Sequence, residues 1–115
     1  MTLENVLLVS AIVFAIGLYG ALAKSNAIMV LMSIEIMFNA VNVMLVATSR
    51  YVEPAVVRLG GSTEAAGRSL LVGQSFATFV IVISAAEVAL GLALVIAMVR
   101  RKDTVDISEV NLMRR

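Results

Sequence analysis

The 115-residue chain contains no cysteine and no histidine. Their absence removes thiolate and imidazole ligands, cysteine nucleophiles, disulfides and ordinary haem ligation together, so redox chemistry within this chain is not expected. Charge is scarce as well, at 15% of residues with a formal net charge of +1. No basic cluster is interleaved with aromatics, which argues against a nucleic-acid surface. Glycine follows no phosphate-cradling pattern, and Gly60-Gly61 reads as flexibility ending a short helix opened by Pro54. A positive N-terminal region is also missing. Residues 1–4 hold Glu4 but no Lys or Arg, and the uncharged run at 5–23 exceeds the about 7 to 15 residues of a signal-peptide core. Ala21-Leu22-Ala23 resembles a cleavage site, yet the run reads better as a first membrane span.

What the chain does have is apolar mass: 61% of its residues are hydrophobic and the mean hydropathy is +1.01. Those values lie far outside the range of a soluble domain and define an integral membrane protein. A spanning helix needs about 20 apolar residues, and three stretches supply them. The expected fold is therefore all-α, a single membrane domain over 1–115 with helices at about 5–23, 26–49 and 70–99, an outer loop at 50–69 and a tail at 100–115. Little chain is left for a water-facing catalytic domain, so any cofactors are expected in partner proteins.

The short turn Ala23-Lys24-Ser25-Asn26 forces the first two helices into an antiparallel hairpin, and Ser25 or Asn26 can cap the second. Lys24 reads as a snorkelling residue that fixes orientation. Gly17 and Gly20 give the first helix small surfaces for close packing, and Ala85, Ala89, Ala93 and Ala97 form a small-residue ridge on the third. The first turn and the C-terminal tail must share a side, where they gather Lys24, Arg100, Arg101, Lys102, Arg114 and Arg115; the long loop holds Arg50, Arg58 and Arg68. The positive-inside rule then puts the N-terminus outside and the C-terminus in the cytoplasm.

Against this apolar background two acids stand out. Glu35 is the one ionisable residue between Lys24 and Arg50, and Glu87 the one between Arg68 and Arg100. By helical rise they lie roughly 15 and 20 Å from the cytoplasmic boundary, near the bilayer midplane. An ionised carboxylate in hydrocarbon is so costly that it finds a partner, borders water or takes up a proton. Two such groups at similar depth can hand a proton sideways between helices, through a water or a polar side chain. Asn39 and Asn42 fall within about 40° of Glu35 on the helix and form a supporting polar seam. The third helix offers less polar company, so Glu35 is expected to matter more than Glu87. Carboxylate and amide oxygens are also hard ligands of the kind Na⁺ takes, and the residues by themselves leave that alternative open.

The blocks Gly17-Leu18-Tyr19-Gly20, Leu31 through Asn42, Gly73-Gln74 with Phe76 and Phe79, Ala85-Ala86-Glu87-Val88-Ala89-Leu90-Gly91-Leu92 and the ending Val110-Asn111-Leu112-Met113 resemble the small membrane subunit of respiratory complex I. That subunit is called K in bacterial NADH-quinone oxidoreductase and 4L elsewhere. The resemblance implies a non-redox, three-helix subunit of a proton-translocating enzyme, placed between the quinone-site subunit and the antiporter-like subunits. It further implies a multi-pass location in the bacterial plasma membrane, with Glu35 and Glu87 on the coupling path. NADH, FMN, iron–sulfur clusters and quinone would be handled by partner subunits. Two departures accompany it: the family usually carries two basic residues in its first cytoplasmic loop, where this chain has Lys24 followed by Ser25, and the 50–68 segment reads as longer than the family's. The runner-up is a small subunit of a multisubunit Na⁺/H⁺ antiporter, which shares the three-helix plan. A small multidrug exporter would need a fourth span that the polar 50–68 segment cannot supply.

Overall fold

A computed structural model describes residues 2–110; within it the side chains of 52–54 and 56 are not described. The backbone forms three long α-helices, α1 (Leu3–Ala23), α2 (Ala27–Arg58) and α3 (Thr63–Lys102), and a short 3-10 turn, η1 (Ile107–Glu109). All three α-helices are long and apolar enough to cross a membrane. No strand occurs among the described residues, beyond one isolated bridge between Asn26 and Asp106.

Helix α2 is the centre of the arrangement, packing against α1 on one side and α3 on the other. In a bilayer the lipid tails are as apolar as leucine, so association depends on close packing and on hydrogen bonds between helices. Small residues supply the closeness. A Cβ added at Gly17 of α1 would meet Met37 Cγ at 2.7 Å and the Ser33 carbonyl at 2.9 Å, and one at Gly91 of α3 would meet Leu31 Cδ2 at 2.5 Å. Gly73 closes against Ser49 in the same way. Ser10 of α1 donates across the hairpin to the Ala40 carbonyl. The outer faces carry exposed Leu8, Ile12, Tyr19, Phe76, Phe79 and Leu94, as suits helices surrounded by an apolar medium.

The predicted ridge of Ala85, Ala89, Ala93 and Ala97 is exposed rather than turned to α2. Ala77, Ser84, Gly91 and Val95 occupy the buried face of α3 instead.

The 50–69 segment is not the loop expected from its composition. α2 continues to Arg58 and α3 starts at Thr63, so the connection is confined to 59–62. Polar composition marks where a bilayer ends, not where a helix ends. Apart from Pro54, residues 50–58 hold no strong helix breaker, and one proline removes only a single i to i−4 bond. The stop comes at Gly60, whose φ of +83° suits a residue without Cβ, and whose N–H donates to the Val57 carbonyl at 3.2 Å. Ser62 then caps α3 by accepting from the Ala65 N–H, and Glu64 pairs with Arg68 one turn on at 3.0 Å. At 40 residues α3 is about 60 Å long, twice the roughly 30 Å hydrocarbon core, so it projects beyond the bilayer.

At the other end the tail folds back on the first turn. The Ala27 N–H donates to the Val105 carbonyl at 2.9 Å and the Ile107 N–H to the Ser25 carbonyl at 2.9 Å. Asn26, rather than Ser25, caps α2, accepting from the Ile28 and Met29 N–H groups. Ser25 instead turns its hydroxyl to Asp106 Oδ2 at 3.3 Å. The first turn and the tail thus share one end of the bundle.

Candidate functional site at the α2–α3 seam

The register of α2 against α3 sets the heights of the two acids. Leu31 faces Gly91 and Ser49 faces Gly73, so position 35 on α2 is level with position 87 on α3. Both glutamates are half-buried within the chain.

Glu35 sits at a groove of about 290 Å³ between the two helices, lined by Ile28, Leu31, Met32, Ile36, Val88 and Leu92. The lining is otherwise apolar, so the carboxyl is the groove's one ionisable group. Its Oε2 accepts a hydrogen bond from Ser84 Oγ at 2.5 Å, a charge-assisted bond when the carboxyl is ionised.

Glu87 lies one turn beyond Ser84 on the other flank of the seam. At 100° per residue it stands about 60° from Ser84, about 100° from Val88 and about 140° from Leu92. Among the described residues no side chain hydrogen-bonds to it. The two acids are therefore level but separated by the packed seam, and Ser84 lies between them.

The expected asparagine seam is divided. Asn39 is exposed, and neither Asn39 nor Asn42 hydrogen-bonds to Glu35 among the described residues. Asn42 belongs to a second groove, of about 680 Å³, with Val6, Val46, Arg50, Tyr51 and Ala77. Its Oδ1 is buried without a hydrogen-bond partner among the described residues.

Ser84 is the residue that sequence reasoning missed. A signal existed: from Phe79 to Lys102 it is the one hydroxyl, placed three residues before the one acid. What composition hides is that its face of α3 is the face turned to Glu35. Among the described residues no group of three or more acids converges as a metal ion would require.

Three helices long and apolar enough to cross a membrane, with two level carboxyls on α2 and α3, define a small polytopic membrane protein. Comparison with known proteins is specific. The family described as NADH-ubiquinone/plastoquinone oxidoreductase chain 4L matches residues 5–115, and the chain belongs to that family. It is 45% identical to NAD(P)H-quinone oxidoreductase subunit 4L of Leptolyngbya boryana over 114 residues, covering 99% of each chain. Identity to NADH-quinone oxidoreductase subunit K of Brevibacillus brevis is 44% over 116 residues, covering 100% of this chain and 98% of the relative. With subunit K of Desulfitobacterium hafniense it is 46% over 112 residues, covering 97% and 94%.

Proposed function

We propose that the chain is a membrane-arm subunit of a proton-translocating NADH-quinone oxidoreductase, in which Glu35 and Glu87 contribute to the path coupling quinone reduction to proton movement. The observation that carries this reading is the pair of level acids on α2 and α3, one held by a hydroxyl at the edge of a lateral groove, in a chain of this family. An acid in that position can be charged when a donor or water faces it and neutral when it has taken a proton. Its helix carries no basic residue at that depth to neutralise it permanently.

The chain's own chemistry fits a subunit without a redox centre. With no cysteine or histidine these residues lack the usual ligands for an iron–sulfur cluster, and the three apolar helices themselves offer no fold for FMN or NADH. Those groups, and quinone, belong to partner subunits in this reading, with the quinone-site and antiporter-like subunits as lateral neighbours. The membrane is the bacterial plasma membrane, with the clasped end of the bundle and its basic residues on the cytoplasmic side.

Membership is tested by solubilising the source membrane gently, separating intact complexes on a native gel and staining for NADH dehydrogenase activity. The chain is expected in the stained band. Its presence only in a large band without NADH activity would overturn the reading in favour of the Na⁺/H⁺ antiporter subunit.

A further inference from the structure

Past its first turn, the hydroxyls of α3 follow one habit with one exception. Ser69 donates to the Ala65 and Ala66 carbonyls, Ser75 to Leu71 and Thr78 to Gln74, each within its own helix. That is the ordinary fate of a hydroxyl on a membrane helix. Ser84 instead reaches across to Glu35 on α2. Ser84 is 4% exposed, so its hydroxyl lies inside the α2–α3 interface, while the carboxyl it meets is half-buried at the groove.

We propose that Ser84 is a positioning residue for Glu35, and that its hydroxyl makes α3 responsive to the protonation state of that acid. This rests on the coupling role assigned to Glu35 above. The structure pairs Ser84 Oγ with Glu35 Oε2, and with Glu35 ionised the serine O–H is the donor. When Glu35 takes up a proton, its carboxyl O–H donates to Ser84 Oγ, and the serine hydrogen turns to the Val80 carbonyl four residues back, the bond its neighbours on α3 already make. The carboxyl gains one proton and the serine loses none. The tie between the helices persists while its direction reverses. The reversal is felt one turn from Glu87, on the face of α3 that lies between the two acids. Neither asparagine can substitute, since Asn39 is exposed and Asn42 is about two turns above Glu35.

The test uses the intact complex reconstituted in liposomes, followed by infrared difference spectroscopy and NADH-driven proton pumping. Bands belonging to Glu35 are those lost in Glu35→Gln. In Ser84→Ala, a change that suits a helix and removes one oxygen, the Glu35 carboxyl band is expected at higher frequency and pumping several-fold lower. Ser84→Thr restores the hydroxyl and is expected to return both toward normal. Ser75→Ala, which deletes a hydroxyl bonded within its own helix, is expected to change neither. An unmoved Glu35 band in assembled Ser84→Ala, or normal pumping by it, overturns the proposal. The underlying reading fails separately: normal pumping by Glu35→Gln would remove Glu35 from the path, whereas a defective Glu35→Gln beside a normal Ser84→Ala removes only the serine.

Discussion

A carboxylate inside a membrane is held by whatever donors its neighbours present, and the two acids differ in this. Glu35 has the Ser84 hydroxyl and a lateral groove, while Glu87 has no hydrogen-bond donor among the described residues. Loss of the carboxyl should therefore cost more at position 35. At equal assembly, Glu35→Gln is expected to lose at least about tenfold in pumping rate, equivalent to about 1.4 kcal/mol, and Glu87→Gln measurably less. Equal losses would contradict the ranking. The sequence leads to the same expected ranking on a different ground, the asparagines that share a face with Glu35. Asn39 and Asn42 share a helical face with Glu35, which periodicity shows; that Asn42 faces a different groove and that Ser84 faces the acid depend on the rotation of α3 against α2. Rotation is set by which small residues meet, Gly91 on Leu31 and Gly73 on Ser49, and single-helix patterns do not contain that information.

Between elements, the cost of enlarging a glycine depends on what its new methyl would strike. At Gly17 it strikes the Ser33 backbone carbonyl at 2.9 Å, which can retreat only if α1 and α2 separate. At Gly91 it strikes the methyl ends of Leu31, which can change rotamer. Gly17→Ala is thus expected to destabilise the detergent-solubilised complex by about 1–3 kcal/mol, and Gly91→Ala by less. Thermal unfolding of the two variants, compared at equal expression, checks the order. The helices themselves were legible because hydrocarbon thickness imposes length on sequence: 5–23 and 26–49 fall close to α1 and to the stretch of α2 long and apolar enough to cross a membrane, Ala27–Tyr51. Their extension to Arg58 and back to Thr63 was not, because water tolerates a polar helix as readily as a polar loop, and Ser62 and the Glu64–Arg68 pair favour the helix.

At the scale of the whole molecule, residues far apart in sequence close one end of the bundle. Asp106 caps η1 and meets Ser25, tying the end of α3 to the turn between α1 and α2. The Ser108 hydroxyl and then its N–H hold the Asp106 carboxyl below its ordinary value of 3.8, with Ser25 adding to them. A lowered folded-state value means that the clasp is favoured at neutral pH and loses that contribution as pH falls through the folded value, below about 3.8. Asp106→Ala is expected to speed tryptic cleavage after Arg101 and Lys102 several-fold at neutral pH, with Asp106→Asn intermediate because its amide oxygen still accepts. Unchanged cleavage would show that the clasp does not hold the tail.

The coupling role of the level acids is tested most directly by proton pumping in sealed vesicles bearing the Glu35→Gln complex. NADH oxidation by a water-soluble acceptor, measured in parallel, reports on assembly without requiring the membrane path. The soluble reaction is expected to persist while NADH-driven proton uptake falls by at least about tenfold. Proton uptake at the normal ratio to electrons transferred, in a fully assembled Glu35→Gln complex, would contradict it.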